Sequence, residues 1–221
     1  MSIAVGVIGG GSWGTTIAHI AAHNAPTLLW CRDDVVAQSI TTDNCNDKYL
    51  AGYKLHPELN ASSDLEHVVA RSDVLVMGVP SQGFREVMAQ VRGHIRPWVP
   101  VLSLTKGLEG GTKLRMSQIA GEELPGHPVG ALTGPNLAKE ILAGDAAAAV
   151  IAMQDTNVAE RLQEIFSTSA FRVYLNHDII GCEIGGALKN VIALASGMAD
   201  GLGTGDNTRA AIITRGLTEL T

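Results

Sequence analysis

The chain has 221 residues, of which 46% are hydrophobic and 17% are charged, so it can bury a sizeable core and does not belong to the disordered class. The formal net charge of -6 provides no global positive field, and nucleic acids and anionic membrane surfaces are therefore not expected as partners. The length fits one large domain, or one domain with part of a second.

Short apolar runs alternate with helical patterns along most of the chain, which predicts parallel βαβ units. The strand candidates are 3–8, 27–30, 73–79, 99–104, 127–133, 146–153 and 171–175. The helix candidates are 15–23, a helix from 33 or 34, a short helix from 63 or 64 to 71, 81–93, 137–142 and 156–168. The segment 44–63 is rich in Asn, Asp, Gly and Pro and is predicted to be a long loop.

The pattern changes near residue 178, after which it is helical, with small residues and no strand signal. The predicted fold is therefore α/β, with a doubly wound, mostly parallel Rossmann-type sheet over residues 1–178. Residues 179–221 are predicted to be the start of an all-helical C-terminal domain.

The cysteines and the apolar runs indicate the cellular setting. Cys31, Cys45 and Cys182 form no CxxC pair, which predicts reduced thiols in a cytoplasmic protein. The first apolar run has no basic region before it, so a signal peptide is not expected. No apolar stretch approaches the length of about 20 residues that a membrane helix needs, so no membrane span is expected. The seven histidines lack metal-ligand spacing, and no metal site is predicted.

A glycine motif, Gly9-x-Gly11-x-x-Gly14, lies between the first strand and the first helix. The first glycine permits a tight turn, the second lets the backbone approach a pyrophosphate, and the third allows the helix to pack closely on the strand. The N-terminus of the following helix would offer unpaired amides to the phosphates. The motif predicts a nicotinamide dinucleotide site, and hence a dehydrogenase or reductase; a tight turn without a ligand is the alternative.

The end of the second strand bears on the choice between NAD and NADP. An acidic side chain there would bind the ribose hydroxyls, whereas an arginine favours the 2′-phosphate of NADP. Arg32 comes first, and Asp33 and Asp34 follow slightly late, where helix capping is the favoured role. NADP is therefore preferred over NAD.

Ordered sequence blocks through the chain resemble the NAD(P)-dependent glycerol-3-phosphate dehydrogenases of the bacterial type. The blocks are GGGSWGT at 9–15, WCR at 30–32, NDKYLAG at 46–52, VPS at 79–81, LTKGLE at 104–109, GPNLAKE at 134–140 and a long block from GCEIGGALKN at 181–216. The KGLE, GPxxAxE and GALKN blocks in this order are specific to that family. The resemblance implies interconversion of sn-glycerol 3-phosphate and dihydroxyacetone phosphate, which serves phospholipid synthesis.

The resemblance also implies which positions contact the cofactor. Ser12, Trp13, Arg32 and Ala138 fall on cofactor-binding positions of the family. Lys106 falls on a position that touches both cofactor and substrate.

The substrate positions implied by the resemblance are Gly134 and Asn136, and Lys189 falls on the catalytic base. Many bacterial members have Ser or Thr where this chain has Asn136, but an amide can still hydrogen-bond a hydroxyl or a phosphate. Asn190 follows the base and is a further candidate for a hydrogen bond to the substrate.

The two lysines suit the chemistry of alcohol oxidation, which needs a base near the hydroxyl while hydride leaves the same carbon. On a helix, Lys189 shares its face with the small residues Gly185, Ala193 and Ser196, which would let a ligand approach. Lys106 lies in a loop after a strand, where doubly wound sheets bind ligands, and is expected to orient the substrate and to depress the pKa of the base. A solvated surface lysine is the alternative for each.

Two other functions remain open at this point, a non-catalytic dinucleotide-binding module and a related two-domain hydroxy-acid dehydrogenase. Family members continue past residue 221 through a helical region that completes the substrate phosphate site, so the C-terminal domain is expected to be truncated. The 221-residue chain is then expected to bind the cofactor but to turn over poorly. A second copy of the chain, in a homodimer, is the macromolecular partner expected.

Overall fold

The computed structural model describes residues 3–220, in which eight strands and ten α-helices follow one another along the chain. The strands are β1 (Val5–Ile8), β2 (Thr27–Trp30), β3 (Asn60–Ser62), β4 (Val74–Met77), β5 (Val101–Ser103), β6 (Val129–Thr133), β7 (Ala147–Met153) and β8 (Phe171–Asn176). The helices are α1 (Ser12–Ala22), α2 (Asp34–Asp43), α3 (Asp47–Leu50), α4 (Leu65–Arg71), α5 (Phe84–Arg92), α6 (Met116–Glu123), α7 (Ala138–Leu142), α8 (Thr156–Phe166), α9 (Ile179–Gly201) and α10 (Asp206–Leu220).

The eight strands of residues 3–220 form one sheet in the order β3-β2-β1-β4-β5-β6-β7-β8. Neighbouring strands are parallel except β6 and β7, which pair antiparallel. The direction of winding reverses between β1 and β4, and such a reversal leaves a crevice at the carboxyl ends of the two strands. The predicted doubly wound, mostly parallel Rossmann-type sheet is confirmed.

Two apolar layers cover the two faces of the sheet. Side chains alternate between the faces along a strand, so Val74 and Val76 of β4 join one layer while Leu75 and Met77 join the other. The first layer includes the buried faces of α1 and α8, and the second those of α4, α5 and α6. Burial of the strands on both faces explains why they appear in the sequence as continuous apolar runs.

The structure corrects two sequence predictions of secondary structure. The segment 44–63 is not one long loop, because it contains α3 and the edge strand β3. Helix α6 was not predicted. It is short, contains Gly121, and begins after Arg115 with the Gln118 side chain accepting from the Arg115 amide, rather than at a Ser or Asp cap.

Helix α9 corrects one part of the membrane prediction, namely that no apolar stretch approaches the length of a membrane helix. It has 23 residues with a mean hydropathy of 1.4, which is long and apolar enough to cross a membrane by length and composition. Sequence reasoning missed it because Glu183 and Lys189 interrupt the apolar pattern, while many Ala and Ile residues still keep the average hydropathy high. One such helix is weak evidence for a membrane span.

Candidate functional site

The glycine motif lies at the carboxyl end of β1, where two of its glycines are required by close backbone packing. Gly9 has a φ of +127°, and a Cβ built on it would lie 2.5 Å from the carbonyl oxygen of Gly78, which follows β4. A Cβ on Gly14 would lie far inside van der Waals contact with the carbonyl oxygen of Gly9. The absence of a side chain at these two positions therefore allows the turn, α1 and the loop after β4 to pack closely.

Gly11 differs, because a Cβ built on it would meet no protein atom within 4 Å. Gly11 is the N-cap of α1, its backbone is extended, and no side chain caps the first amides of the helix. An uncapped N-terminus offers unpaired N–H groups and a partial positive charge to an anion. The open space at Gly11 and the uncapped amides fit the pyrophosphate of a dinucleotide.

Asn46 supports this loop from the segment that was predicted to be irregular. It is 1% exposed, and its Nδ2 donates to the Gly10 carbonyl oxygen at 3.0 Å and to Thr15 Oγ1 at 2.8 Å. These bonds join α3 to both ends of the glycine turn. Sequence reasoning missed this role; the only signal was that Asn46 opens one of the resembling blocks.

The end of β2 presents an exposed arginine beside two engaged aspartates. The Asp33 carboxylate caps α2 by accepting from the Val35 amide at 3.1 Å, which confirms the favoured capping role. It also pairs with Lys48 at 2.7 Å, and this hydrogen bond is the main reason its pKa is lowered. Asp34 accepts from Ser63 Oγ at 2.8 Å. Arg32 makes no ion pair within residues 3–220, so its guanidinium is available to a ligand.

Lys106 and Gly134, predicted from two different blocks, meet at the carboxyl edge of the sheet. Lys106 follows β5 and is half-buried, and its Nζ donates to the Gly134 carbonyl oxygen at 2.9 Å. Thr105 Oγ1 donates to the Val79 carbonyl oxygen at 2.6 Å, which ties the lysine loop to the loop after β4. Thr105 was also missed, because nothing in its local sequence indicates that contact.

Asn136 carries an unpaired acceptor beside Gly134, the residue to which Lys106 donates. Its Nδ2 donates to the Ala148 carbonyl oxygen at 2.9 Å, so the orientation of the amide is fixed. Its Oδ1 is buried and has no hydrogen-bond partner among residues 3–220. A buried oxygen without a donor is costly, and a donor from a ligand, such as a hydroxyl, would remove that cost.

Lys189 reaches the same region from α9. Gly186 of this helix crosses the end of β6, where a Cβ would lie 3.0 Å from Thr133 Oγ1 and 3.8 Å from Lys106 Cγ. The Lys189 side chain is exposed on one wall of a groove of about 740 Å³ between α9 and α10. Ala193 and Ser196 line the same groove, as predicted from the helix face they share with the lysine.

The charges at this site favour an anionic ligand. Burial lowers the pKa of Lys106, and the positive charge of Lys189 lowers it further. The sequence predicted an effect in the other direction, from Lys106 onto the base, so the residue whose pKa is lowered differs from the one predicted. A phosphate or a developing alkoxide would relieve the repulsion between them.

The other predicted site residues have different surroundings. Ser12 is exposed at the start of α1, while Trp13 packs partly buried with its ring centroid 6.5 Å from that of Phe171. Ala138 begins α7, which packs against α1. Asn190 is exposed beside Lys189. No group of three or more His, Cys, Asp or Glu residues suited to a metal ion occurs between residues 3 and 220.

Two family models match the chain. Residues 4–159 match the NAD-dependent glycerol-3-phosphate dehydrogenase N-terminus, and residues 178–221 match the C-terminus of the same family. The chain belongs to this dehydrogenase family.

Individual relatives agree with this membership. A protein of Sphingopyxis alaskensis named glycerol-3-phosphate dehydrogenase [NAD(P)+] 2 is 58% identical over 221 residues, which are 100% of this chain and 66% of that protein. A Mycobacterium tuberculosis protein named glycerol-3-phosphate dehydrogenase [NAD(P)+] 1 is 53% identical over 97% of this chain and 63% of its own length. The crystal structure of glycerol-3-phosphate dehydrogenase from Coxiella burnetii superposes with a TM-score of 0.91 at 34% identity, covering 99% of this chain and 67% of that one. The chain thus spans about two thirds of the length of these relatives.

Proposed function

We propose that the protein interconverts sn-glycerol 3-phosphate and dihydroxyacetone phosphate with NADPH or NADH as the redox partner. The observation that carries this proposal is the arrangement of Lys106, Gly134 and Lys189 at the edge of the sheet that also bears the glycine motif. A dinucleotide cradle beside two coupled cations suits a small phosphorylated alcohol or ketone. The names of the relatives, glycerol-3-phosphate dehydrogenase [NAD(P)+], agree with that substrate.

On this proposal the cofactor lies along the glycine motif, with its pyrophosphate over Gly11 and the N-terminus of α1. Gly9, Gly14, Ser12, Trp13 and Ala138 shape or line the cofactor site. The exposed guanidinium of Arg32 favours the 2′-phosphate of NADP, because Asp33 is already engaged by Lys48 and by its own helix. When bound, the nicotinamide would accept a hydride from the substrate carbon or return one to it.

The chain's own residues then handle the proton and the charge. In the oxidising direction, a neutral Lys189 amine accepts the proton of the substrate hydroxyl; in the reducing direction, its ammonium returns that proton to the oxygen. Lys106, as a cation, stabilises negative charge on the same oxygen. Asn136 Oδ1, which is buried without a partner, accepts from a substrate hydroxyl, and Asn190 lies next to the base for a further hydrogen bond.

We also propose a domain organisation, an oligomeric state and a cellular location for the enzyme. Residues 1–178 form the dinucleotide domain and residues 179–221 the first part of a helical substrate domain, with the active site between them. The enzyme acts in the cytoplasm as a homodimer and supplies sn-glycerol 3-phosphate for phospholipid synthesis. The names of the relatives support the reaction, and the long α9 that carries Lys189 supports the division.

The test compares two substrates with the protein expressed from its complete reading frame. NADPH oxidation is followed at saturating dihydroxyacetone phosphate and, separately, with a small 2-keto acid of similar size. Rapid oxidation with dihydroxyacetone phosphate alone supports the proposal. Turnover confined to the keto acid would establish the hydroxy-acid dehydrogenase instead, and tight NADPH binding without turnover of either would indicate a binding module.

A further inference from the structure

Glu183 is a buried carboxylate near the start of α9, with only 6% of its side chain exposed. It accepts hydrogen bonds from Arg115 Nη1 at 2.5 Å, from Ser117 Oγ at 2.5 Å and from the Ser117 amide at 2.8 Å. Burying a charge is costly, and only a full set of partners of this kind offsets that cost. A buried ion pair adds little net stability compared with apolar residues of similar size, so stability alone does not explain this arrangement.

The partners of Glu183 lie where the segment that carries Lys106 joins α6, with Arg115 in that segment and Ser117 in the first turn of the helix. That segment runs from the end of β5 to the start of α6, and Arg115 lies at its far end, where it bridges back to Leu108. Glu183 itself lies on the helix that carries Lys189. The three hydrogen bonds therefore join the two elements that supply the two lysines.

Helix α9 packs closely against the end of β6 between Glu183 and Lys189. Gly186, midway between Glu183 and Lys189 in sequence, packs so closely that a Cβ would lie 3.0 Å from Thr133 Oγ1 and 3.8 Å from Lys106 Cγ. The Glu183 hydrogen bonds and the close approach of Gly186 to the end of β6 both restrict movement of this part of α9. The position of Lys189 relative to Lys106 follows from these two anchors.

We propose that Glu183, held by Arg115 and Ser117, is a positioning residue that sets the separation of Lys106 and Lys189 for proton transfer. This inference rests on the proposed function, in which Lys189 handles the proton and Lys106 the charge on the same oxygen. A displacement of about 1 Å in such an arrangement can cost about 100-fold in rate. Glu183 touches neither substrate nor cofactor on this account, and it acts through the lysines.

The test uses Glu183→Gln in the protein expressed from its complete reading frame, with Glu123→Gln as the matched control. Glu123 is also a largely buried glutamate, and its partners Arg85 and Arg92 lie on α5, so it does not tie the helix that carries Lys189 to its neighbours. We expect Glu183→Gln to lower kcat by about 10- to 100-fold, with cofactor affinity unchanged. Glu123→Gln should leave kcat unchanged even if its unfolding temperature falls as much as that of Glu183→Gln.

A second measurement does not depend on turnover. The rate at which a small amine reagent labels Lys106 is followed against pH by peptide mass spectrometry. Lys189 is the charged group that lowers the pKa of Lys106, and the Gly134 carbonyl accepts its hydrogen bond. If Glu183 holds Lys189 in place, its loss moves the Lys106 labelling curve toward higher pH, whereas Glu123→Gln leaves the curve unchanged.

The outcomes separate the two proposals. If the wild-type protein does not reduce dihydroxyacetone phosphate, the proposed function is wrong. A shifted labelling curve in Glu183→Gln would still support the positioning role. Normal kcat and an unshifted curve in folded Glu183→Gln would overturn the positioning role alone. If Glu183→Gln does not fold, Ser117→Ala removes only the hydroxyl donor and should shift both readouts in the same direction by less; no shift in either would overturn the inference.

Discussion

Replacing Gly11 with alanine should weaken cofactor binding about tenfold or more while leaving the fold intact. A Cβ at this position meets no protein atom within 4 Å, and its φ of -74° suits any residue. Loss of backbone freedom in the unfolded chain favours alanine, whereas the N-cap position disfavours it, so the free energy of unfolding should change by less than about 1 kcal/mol. The unfolding temperature should therefore move by no more than about 2–4 °C.

The same methyl group occupies the space where the pyrophosphate would approach the backbone. Losing one or two charge-assisted hydrogen bonds of about 1.5–3 kcal/mol each predicts at least a tenfold rise in the NADPH dissociation constant, measured by quenching of protein fluorescence. Gly14→Ala is the matched comparison, because its Cβ would overlap the Gly9 carbonyl oxygen. That overlap should destabilise the fold by about 1–3 kcal/mol. Normal NADPH affinity in Gly11→Ala, or a collapse of its unfolding temperature, would refute this assignment of the cradle.

Three further predictions concern other parts of the site and its support. Asn136→Ala removes the unpaired buried acceptor and should raise KM for the substrate about tenfold with unchanged NADPH affinity; an unchanged KM would exclude a substrate contact. Arg32→Ala should weaken NADPH binding about tenfold and NADH binding little, as titrations of both cofactors would show; equal losses would contradict the 2′-phosphate role. Burial, and then the charges of His23 and His56, lower the pKa of His19 to about 4 from 6.5, so the folded state disfavours its charged form. Stability is then complete above pH 6.5 and declines as the pH falls toward 4, by no more than about 3 kcal/mol. Urea unfolding of His19→Asn should show a smaller decline over this window, and an equal decline would locate the effect elsewhere.

The alternation of apolar runs and helices was sufficient to predict the sheet, because parallel strands buried on both faces have a distinctive composition. It was not sufficient for the segment 44–63. There, α3 depends on Asn46 bonding to a turn 36 residues away, and β3 depends on pairing with β2. Neither contact can be predicted from the propensities of the local sequence. For helix α9 the reason is different. Glu183 and Lys189 interrupt its apolar pattern, so its length as an apolar helix was not recognised from the sequence.

In the candidate site, too, features encoded in a short stretch of sequence were predicted and contacts between distant residues were not. Glycine spacing indicated the cradle, and the blocks around Lys106 and Lys189 indicated the chemistry, because each signal is contained in a short stretch of sequence. The contacts that arrange these groups were not predictable. Glu183 and Arg115 are 68 residues apart, and their pairing follows from how α9 crosses the sheet edge. The hydrogen bond from Thr105 to Val79 likewise depends on the juxtaposition of two loops.

On the proposed function, Lys189 transfers the proton in a reaction that reduces dihydroxyacetone phosphate. The most direct measurement is NADPH oxidation by Lys189→Ala at saturating dihydroxyacetone phosphate, with the NADPH dissociation constant measured alongside. Lys54→Ala, which removes an exposed lysine on a different segment, is the control. We expect Lys189→Ala to lose about 100- to 10,000-fold in kcat and to retain its NADPH affinity. A normal kcat in Lys189→Ala, or a loss explained by failure to bind NADPH, would contradict that role.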